Sequence, residues 1–236
     1  MLKKGIAGAI VAGCAAVFAS VAMGANIICL AGSESCDGTG VEDTITGSND
    51  VDNINAFGGN DDVLPNAGND VVLLGPGNDE IPGAPTSDLG ADRVSGGPGN
   101  DFVDETSDAT AANIVNGGPG RDCMGGGSGP DTLRGGAGAD NTQLGPCSGG
   151  MSIFGFAGND RLSGGKGNDG LVGMQGSDLL AGGKGKDYLN AKSGGGNDTL
   201  RCGGGRDTYS ASANDIVAKS CEKRVPVPSP MLRARW

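Results

Sequence analysis

Aspartate recurs at every ninth residue over much of this chain, and a large apolar residue follows two positions after each one. The first run is Asp43, Asp52, Asp61, Asp70 and Asp79, trailed by Ile45, Ile54, Val63, Val72 and Ile81. A four-residue insertion holding Pro82 and Pro85 shifts the phase, and Asp92 and Asp101 resume it with Val94 and Val103. Asn113 stands in the next aspartate slot, ahead of Val115, and Asp122, Asp131 and Asp140 follow. After two inserted residues Met151 takes the slot ahead of Ile153, and Asp160, Asp169, Asp178 and Asp187 then run at strict nines with Leu162, Leu171, Leu180 and Leu189. Two more residues precede Asp198 and Asp207, with Leu200 and Tyr209, and a shortened unit ends on Asp215 and Val217. Read this way there are nineteen units, and Thr142 alone breaks the apolar series.

The unit is G-G-x-G-x-D-x-U-x, where U is the apolar residue and aspartate is position six. Fourteen units keep glycine at position four with aspartate at position six, and those of Asp101, Asp122, Asp131, Asp140, Asp169 and Asp187 hold the full G-G-x-G-x-D. A low-complexity coil has no reason to keep glycine, aspartate and a hydrophobe in phase over such a length. The triplet x-U-x is a minimal strand with U facing inward. Three residues hold no strand alone, so each triplet must pair with its equivalent one coil away, and the U side chains then form a narrow column. The fold class expected is all-β, a parallel beta-roll wound as a right-handed beta-solenoid. With 48 glycines in 236 residues, and one tryptophan, two tyrosines and five phenylalanines, the chain is poorly equipped for an ordinary globular core.

One buried side chain per nine residues does not offset the entropy of ordering them. The turns must supply the rest. Glycines bring backbone carbonyls toward one point, and each aspartate adds a carboxylate. Hard oxygen ligands in flexible geometry suit calcium better than magnesium, which demands a tighter octahedron. Stacked coils would also bring like charges about 4.8 Å apart, repelling by about 0.9 kcal/mol per pair even in bulk water. A cation between them reverses that sign. The candidate ligands are Asp61, Asp70, Asp79, Asp92, Asp101, Asp122, Asp131, Asp140, Asp160, Asp169, Asp178, Asp187, Asp198 and Asp207. Asp43, Asp52 and Asp215 are the weakest sites because their units lack glycine at position four, and Asn113 and Met151 mark expected empty rungs.

The stretches Gly96-Gly97-Pro98-Gly99-Asn100-Asp101 and Gly164-Gly165-Lys166-Gly167-Asn168-Asp169 resemble the RTX, or hemolysin-type, calcium-binding repeat family. The resemblance implies two nonapeptides per coil, with calcium ions held between turns by the aspartates above and by carbonyls of their glycine-rich turns. The stretch from Cys202-Gly203-Gly204-Gly205-Arg206-Asp207 to Cys221-Glu222 looks like the close of secreted actinobacterial members. Familiar RTX toxins and proteases carry an effector domain and a C-terminal export signal. Here the repeats leave no room for such a domain, and the general secretory route is the expectation.

Residues 1–24 read as a secretory signal: Lys3 and Lys4, then an apolar stretch of small residues, then cleavage-like sites at Ser20-Val21-Ala22 or Ala22-Met23-Gly24. Val11-Ala12-Gly13-Cys14 also resembles a lipoprotein box, although the segment after Cys14 stays apolar. No stable membrane span is expected from so weakly hydrophobic a run. Beyond it come an N-terminal cap at 25–37, the roll at 38–218, and a C-terminal cap with a disordered tail at 219–236. Removal of the signal leaves Cys29, Cys36, Cys123, Cys147, Cys202 and Cys221, an even number that suggests disulfides. Pairing of sequence neighbours is the simplest connectivity for a stack, though the sequence does not prove it.

Acidic residues outnumber basic ones by 28 to 17, for a net charge of -11, and no histidine is present. Nucleic acid is not an expected partner, since its phosphates need a basic stripe. Catalysis is not expected either: every prominent aspartate belongs to the repeat, and no histidine serves as a base. The leading reading is a secreted, monomeric calcium-binding protein that folds on meeting extracellular calcium. The alternative is a structural or adhesive surface protein, stiffened by calcium, that faces a cell-envelope partner.

Overall fold

The computed structural model describes residues 10–11, 24–32, 35–83, 90–105, 111–127, 129–138, 140, 153–192 and 195–225. Among them all regular structure is β, in two parallel sheets of twelve and ten strands. From Asn26–Ile28 onward successive strands alternate between the sheets, so each coil contributes one strand to each and consumes two nonapeptides. In the first sheet Ile27 pairs with Ile45 and Ile45 with Val63; in the second Cys36 pairs with Ile54 and Ile54 with Val72. The expected beta-roll is the observed architecture.

Many strands are triplets in which the middle residue is buried. Thr44–Thr46 and Arg93–Ser95 each expose their first residue and bury their second. The buried residues stack into a narrow core. Ile27, Ile45, Val63, Ile81, Val103, Met124, Ile153, Leu171 and Leu189 line it from the first sheet, and Ile54, Val72, Val94, Val115, Leu133, Leu162, Leu180 and Leu200 from the second. These are the U positions read from the sequence, extended one coil at the N-terminal end to Ile27. Strands of the second sheet in the later coils run on into their turns, as in Arg161–Lys166 and Thr199–Gly205. Backbone pairing there stitches the glycine-rich turns as well as the x-U-x triplets.

Insertions leave the column undisturbed. The usual separation between stacked residues is 18, and it widens to 22 between Asp70 and Asp92 and to 20 between Asp178 and Asp198. At Asp140 it reaches 29, and this corrects the expected register. Met124 pairs with Ile153, while Asp140 lies in the ladder between Asp122 and Asp169. Asp140 and Ile153 therefore belong to one interrupted unit, and Met151 marks no separate rung. The nonapeptide count runs one too high there, because a period of nine projected through an insertion fits two units where space admits one. Met151 and Thr142 themselves fall outside the described residues.

Disulfides close both ends. Cys29–Cys36 ties the first described coil across the two sheets, with Cα atoms 5.5 Å apart, and Cys202–Cys221 ties the last, with Cα atoms 4.9 Å apart. Both are the neighbour pairings expected from a stack. Cys123 is also disulfide-bonded, and its expected partner Cys147 lies outside the described residues. Within the segment read as a secretory signal, Ile10–Val11 pairs with Ile27–Ile28, and the remainder of 1–23 lies outside the described residues. Among the described residues no helix is long and apolar enough to cross a membrane.

Candidate metal centre

The chain reverses direction between sheets within five residues, which confines the backbone choices at each turn. Position two takes a positive φ. Gly97 does so without strain, whereas Phe57, Asn66, Phe156 and Met174 are held at φ of 68 to 71° by the stack around them. Position four is glycine for a different reason. A Cβ on Gly99 would fall on the carbonyl oxygen of Gly77, and one on Gly120 would fall on that of Gly99. Successive turns approach so closely there that no side chain fits.

The aspartates form a continuous ladder. The Oδ1 atom of each accepts the backbone N–H of the aspartate one coil earlier: Asp61 from Asp43 at 2.7 Å, Asp122 from Asp101 at 3.0 Å, Asp169 from Asp140 at 3.1 Å and Asp207 from Asp187 at 3.0 Å. All fourteen predicted ligands are buried and take part in this ladder on one edge of the roll or the other. The structure brings them together as two rows, one per turn series, rather than as a single cluster. Among the described residues no three carboxylate or thiolate side chains converge on one point, so a bound ion must draw on backbone oxygens too.

The second carboxylate oxygen is the informative one. Oδ2 of Asp61, Asp79, Asp101, Asp122, Asp140, Asp160, Asp169, Asp178, Asp187, Asp198 and Asp207 is buried and accepts no hydrogen bond. Each of these is an anionic oxygen removed from water without a donor, an arrangement that is costly unless a cation completes it. Position one shows where it points. At Gly96 the site of a Cβ lies within 2.8 Å of both Asp101 Oδ2 and the carbonyl oxygen of Gly117 in the next coil. Gly135 stands likewise before Asp140 and Gly164, Gly155 before Asp160 and Gly173, and Gly182 before Asp187 and Cys202. Two acceptor oxygens from adjacent coils thus face one cradle that glycine leaves open. The donor set is oxygen throughout and fits a hard divalent cation such as calcium.

Burial drives the carboxyl groups toward the neutral form when no metal is bound. It raises Asp122 to about 8, with help from the neighbouring Asp140 and Asp101 and against the opposing backbone N–H of Asp101. Burial likewise takes Asp101 and Asp160 to about 7. Asp61, Asp140, Asp169, Asp187 and Asp198 rise to about 6 for the same first cause.

The three units read as weakest behave differently. Asp43 Oδ2 accepts the Thr39 N–H at 2.6 Å and the Thr39 hydroxyl at 2.8 Å, and Asp52 Oδ2 accepts the Ser48 N–H at 2.6 Å. Asp215 Oδ2 accepts the Ser212 N–H. Local donors there occupy the lone pairs that a metal would use. Asn113 fills its rung with an amide, as its place in the ladder between Asp92 and Asp131 requires.

A second ladder escaped the sequence reading. At position five the side-chain oxygens of Asn60, Asn78 and Asn100 accept the backbone N–H of Asn78, Asn100 and Arg121 one coil on, at 2.8 to 2.9 Å. Asn168 accepts that of Lys186 in the same way. Its direction opposes that of the aspartate ladder, so each turn is held from both neighbours. The frequent Asn-Asp pair in the sequence was the available signal.

Comparison with known proteins agrees with this geometry. The family model described as the RTX calcium-binding nonapeptide repeat matches residues 37–72, 66–81, 86–104, 110–133, 116–141, 152–171, 171–195 and 190–215, well over half of the chain. No curated protein shows significant similarity to it. With its two-sheet stack, its phased glycines and its buried aspartate ladders, the chain belongs to the RTX calcium-binding nonapeptide repeat family.

Proposed function

We propose that this is a secreted protein whose folding is governed by calcium, with ions held between successive coils along both turn edges. The observation that carries the reading is the row of buried Oδ2 atoms without donors, of which those of Asp101, Asp140, Asp160 and Asp187 face a carbonyl oxygen of the next coil across a glycine. The ligands on this reading are Asp61, Asp70, Asp79, Asp92, Asp101, Asp122, Asp131, Asp140, Asp160, Asp169, Asp178, Asp187, Asp198 and Asp207, each with carbonyls of its turn. A bound calcium ion supplies the positive charge that these oxygens lack.

The same electrostatics make the fold conditional. Without metal, parallel rows of carboxylates repel along the whole length of the stack. With metal, each rung is joined to the next through its oxygens, and binding free energy becomes folding free energy. Disulfides at both ends suit an oxidising exterior, where calcium is plentiful, and the sequence of residues 1–24 is consistent with export to it. On this reading the protein is a binding module.

Calcium titration of the chain lacking residues 1–24, followed by circular dichroism and calorimetry, tests this reading. Cooperative gain of β signal with uptake of several ions is the expected result. A roll fully formed in chelator that takes up no calcium at millimolar concentration would overturn it.

A further inference from the structure

The coil register sorts the surface charges by face. On the outer side of the second sheet one column runs Arg93, Ile114, Thr132, Arg161, Leu179, Thr199, and its neighbour runs Ser95, Asn116, Arg134, Ser163, Ala181, Arg201. Arg93, Arg134, Arg161 and Arg201 are all exposed. The turn that leaves this sheet adds Arg121, Lys166, Lys184, Lys186 and Arg206, exposed as well. Each of the six rungs from Arg93 to Arg201 thereby supplies at least one cation to this side. At a strand spacing of about 4.8 Å the strip is about 24 Å long.

Among the described residues of these six rungs, no exposed acidic side chain lies on the same side. Among the described residues of these rungs, every aspartate except Asp104 is buried in the ladders, and Asp104 lies on the first sheet. The other acids on a sheet exterior near this region, Asp62 and Glu80, also belong to the first sheet. A chain of net charge -11 therefore presents one continuous cationic strip, which its composition hides.

We propose that this strip is a docking surface for a linear phosphodiester polymer, bound through its backbone charge along the axis of the roll. Cations on every rung match a polyanion charged at every short repeat better than one charged at wide intervals. The cations of the two columns are all arginine, whose planar guanidinium pairs bidentately with phosphate oxygens. Ser95, Asn116, Thr132, Ser163 and Thr199 add short polar groups between them. Neither column contains an aromatic side chain on which a base could stack, so the partner is recognised by its phosphates alone.

The surface follows from the strand register and stands apart from the calcium reading, so the two can fail separately. The test measures binding of a labelled abasic deoxyribose-phosphate oligomer to the full chain in calcium, with circular dichroism confirming that the roll is formed. We expect binding that weakens steeply with salt. The quadruple variant Arg93→Gln, Arg134→Gln, Arg161→Gln, Arg201→Gln is expected to bind at least about tenfold more weakly, with the log–log salt slope reduced by about 3. Neutralising Asp62, Glu80 and Asp104 on the opposite sheet should not weaken binding. Absence of binding by a folded roll, or undiminished binding by the folded quadruple variant, overturns the proposal. A thymidine oligomer of equal length that binds tenfold tighter than the abasic one also overturns it, since bases would then be read.

Discussion

Asn113 donates from its amide nitrogen to the carbonyl oxygen of Gly126 at 3.1 Å, closing with a proton the gap that other rungs leave between two oxygens. Its Oδ1 meanwhile accepts the Asp92 N–H at 2.9 Å, as an aspartate would. The rung is thus complete without metal. Asn113→Asp should create one further calcium site: calorimetry should count one more ion per chain. In chelator the same variant should lose about 1–3 kcal/mol in denaturant unfolding, the usual cost of an unsatisfied buried polar group.

The converse change should behave oppositely. Asp101→Asn places an amide before the carbonyl of Gly117, as Asn113 stands before Gly126. Thermal melts should show a higher midpoint than the parent in chelator and a lower one in saturating calcium. If both midpoints moved in the same direction, the ladder oxygens would not be metal ligands.

Acidity should help the metal-free roll and hinder the loaded one. The folded carboxyl groups of Asp101, Asp122 and Asp160 lie at about 7, 8 and 7, above the ordinary value of 3.8. A raised folded value means that the stability contributed by the neutral form is fully present below about pH 4 and is lost progressively as pH climbs from there to about 8. Melts in chelator should therefore fall across that window. Calcium must displace the same protons, so the calcium midpoint should drop to lower concentration as pH rises.

Glycines at different turn positions should differ sharply in tolerance. Gly99→Ala drives a Cβ into the Gly77 carbonyl and should cost about 1–3 kcal/mol or more, as overpacking does. Gly204→Ala meets nothing within 4 Å and should stay within about 0.5 kcal/mol of the parent. Unfolding in saturating calcium compares the two directly.

Loss of the terminal staple should be felt first at the end of the stack. Cys202 and Cys221, 19 residues apart in sequence, close the last coil beside Asp207. Replacing both with serine should cost about 3 kcal/mol by loop entropy. Hydrogen exchange should quicken around Thr208–Ser210 before it does around Leu133 or Leu162.

Much of the roll is legible in the primary structure because its period is local. The spacing of Val63, Leu171 or Leu189 behind its aspartate depends on one nonapeptide alone, and each lands in the buried column. The same holds for the weak sites: absent glycines at Asp43 and Asp52 coincide with Thr39 and Ser48 donors that close the carboxylates. Position five was passed over because an isolated Asn-Asp pair is common in turns, and only stacking reveals that Asn78 reaches Asn100. Met151 misled because counting by nines continues through an insertion, whereas pairing selects whichever apolar residue reaches the column.

By itself the sequence determined the repeat unit, the β class, the buried hydrophobic positions and the oxygen-rich turns. All of these arise from residue types a few positions apart. The tertiary structure decided what joins residues a coil or more apart: the aspartate ladder, the merging of Asp140 with Ile153, and the gathering of Arg93, Arg134, Arg161 and Arg201 on one face. The physical reason is that strand pairing runs between coils. Neighbours in space are 17 to 29 residues apart along the chain, and each insertion resets that distance by an amount that only packing defines.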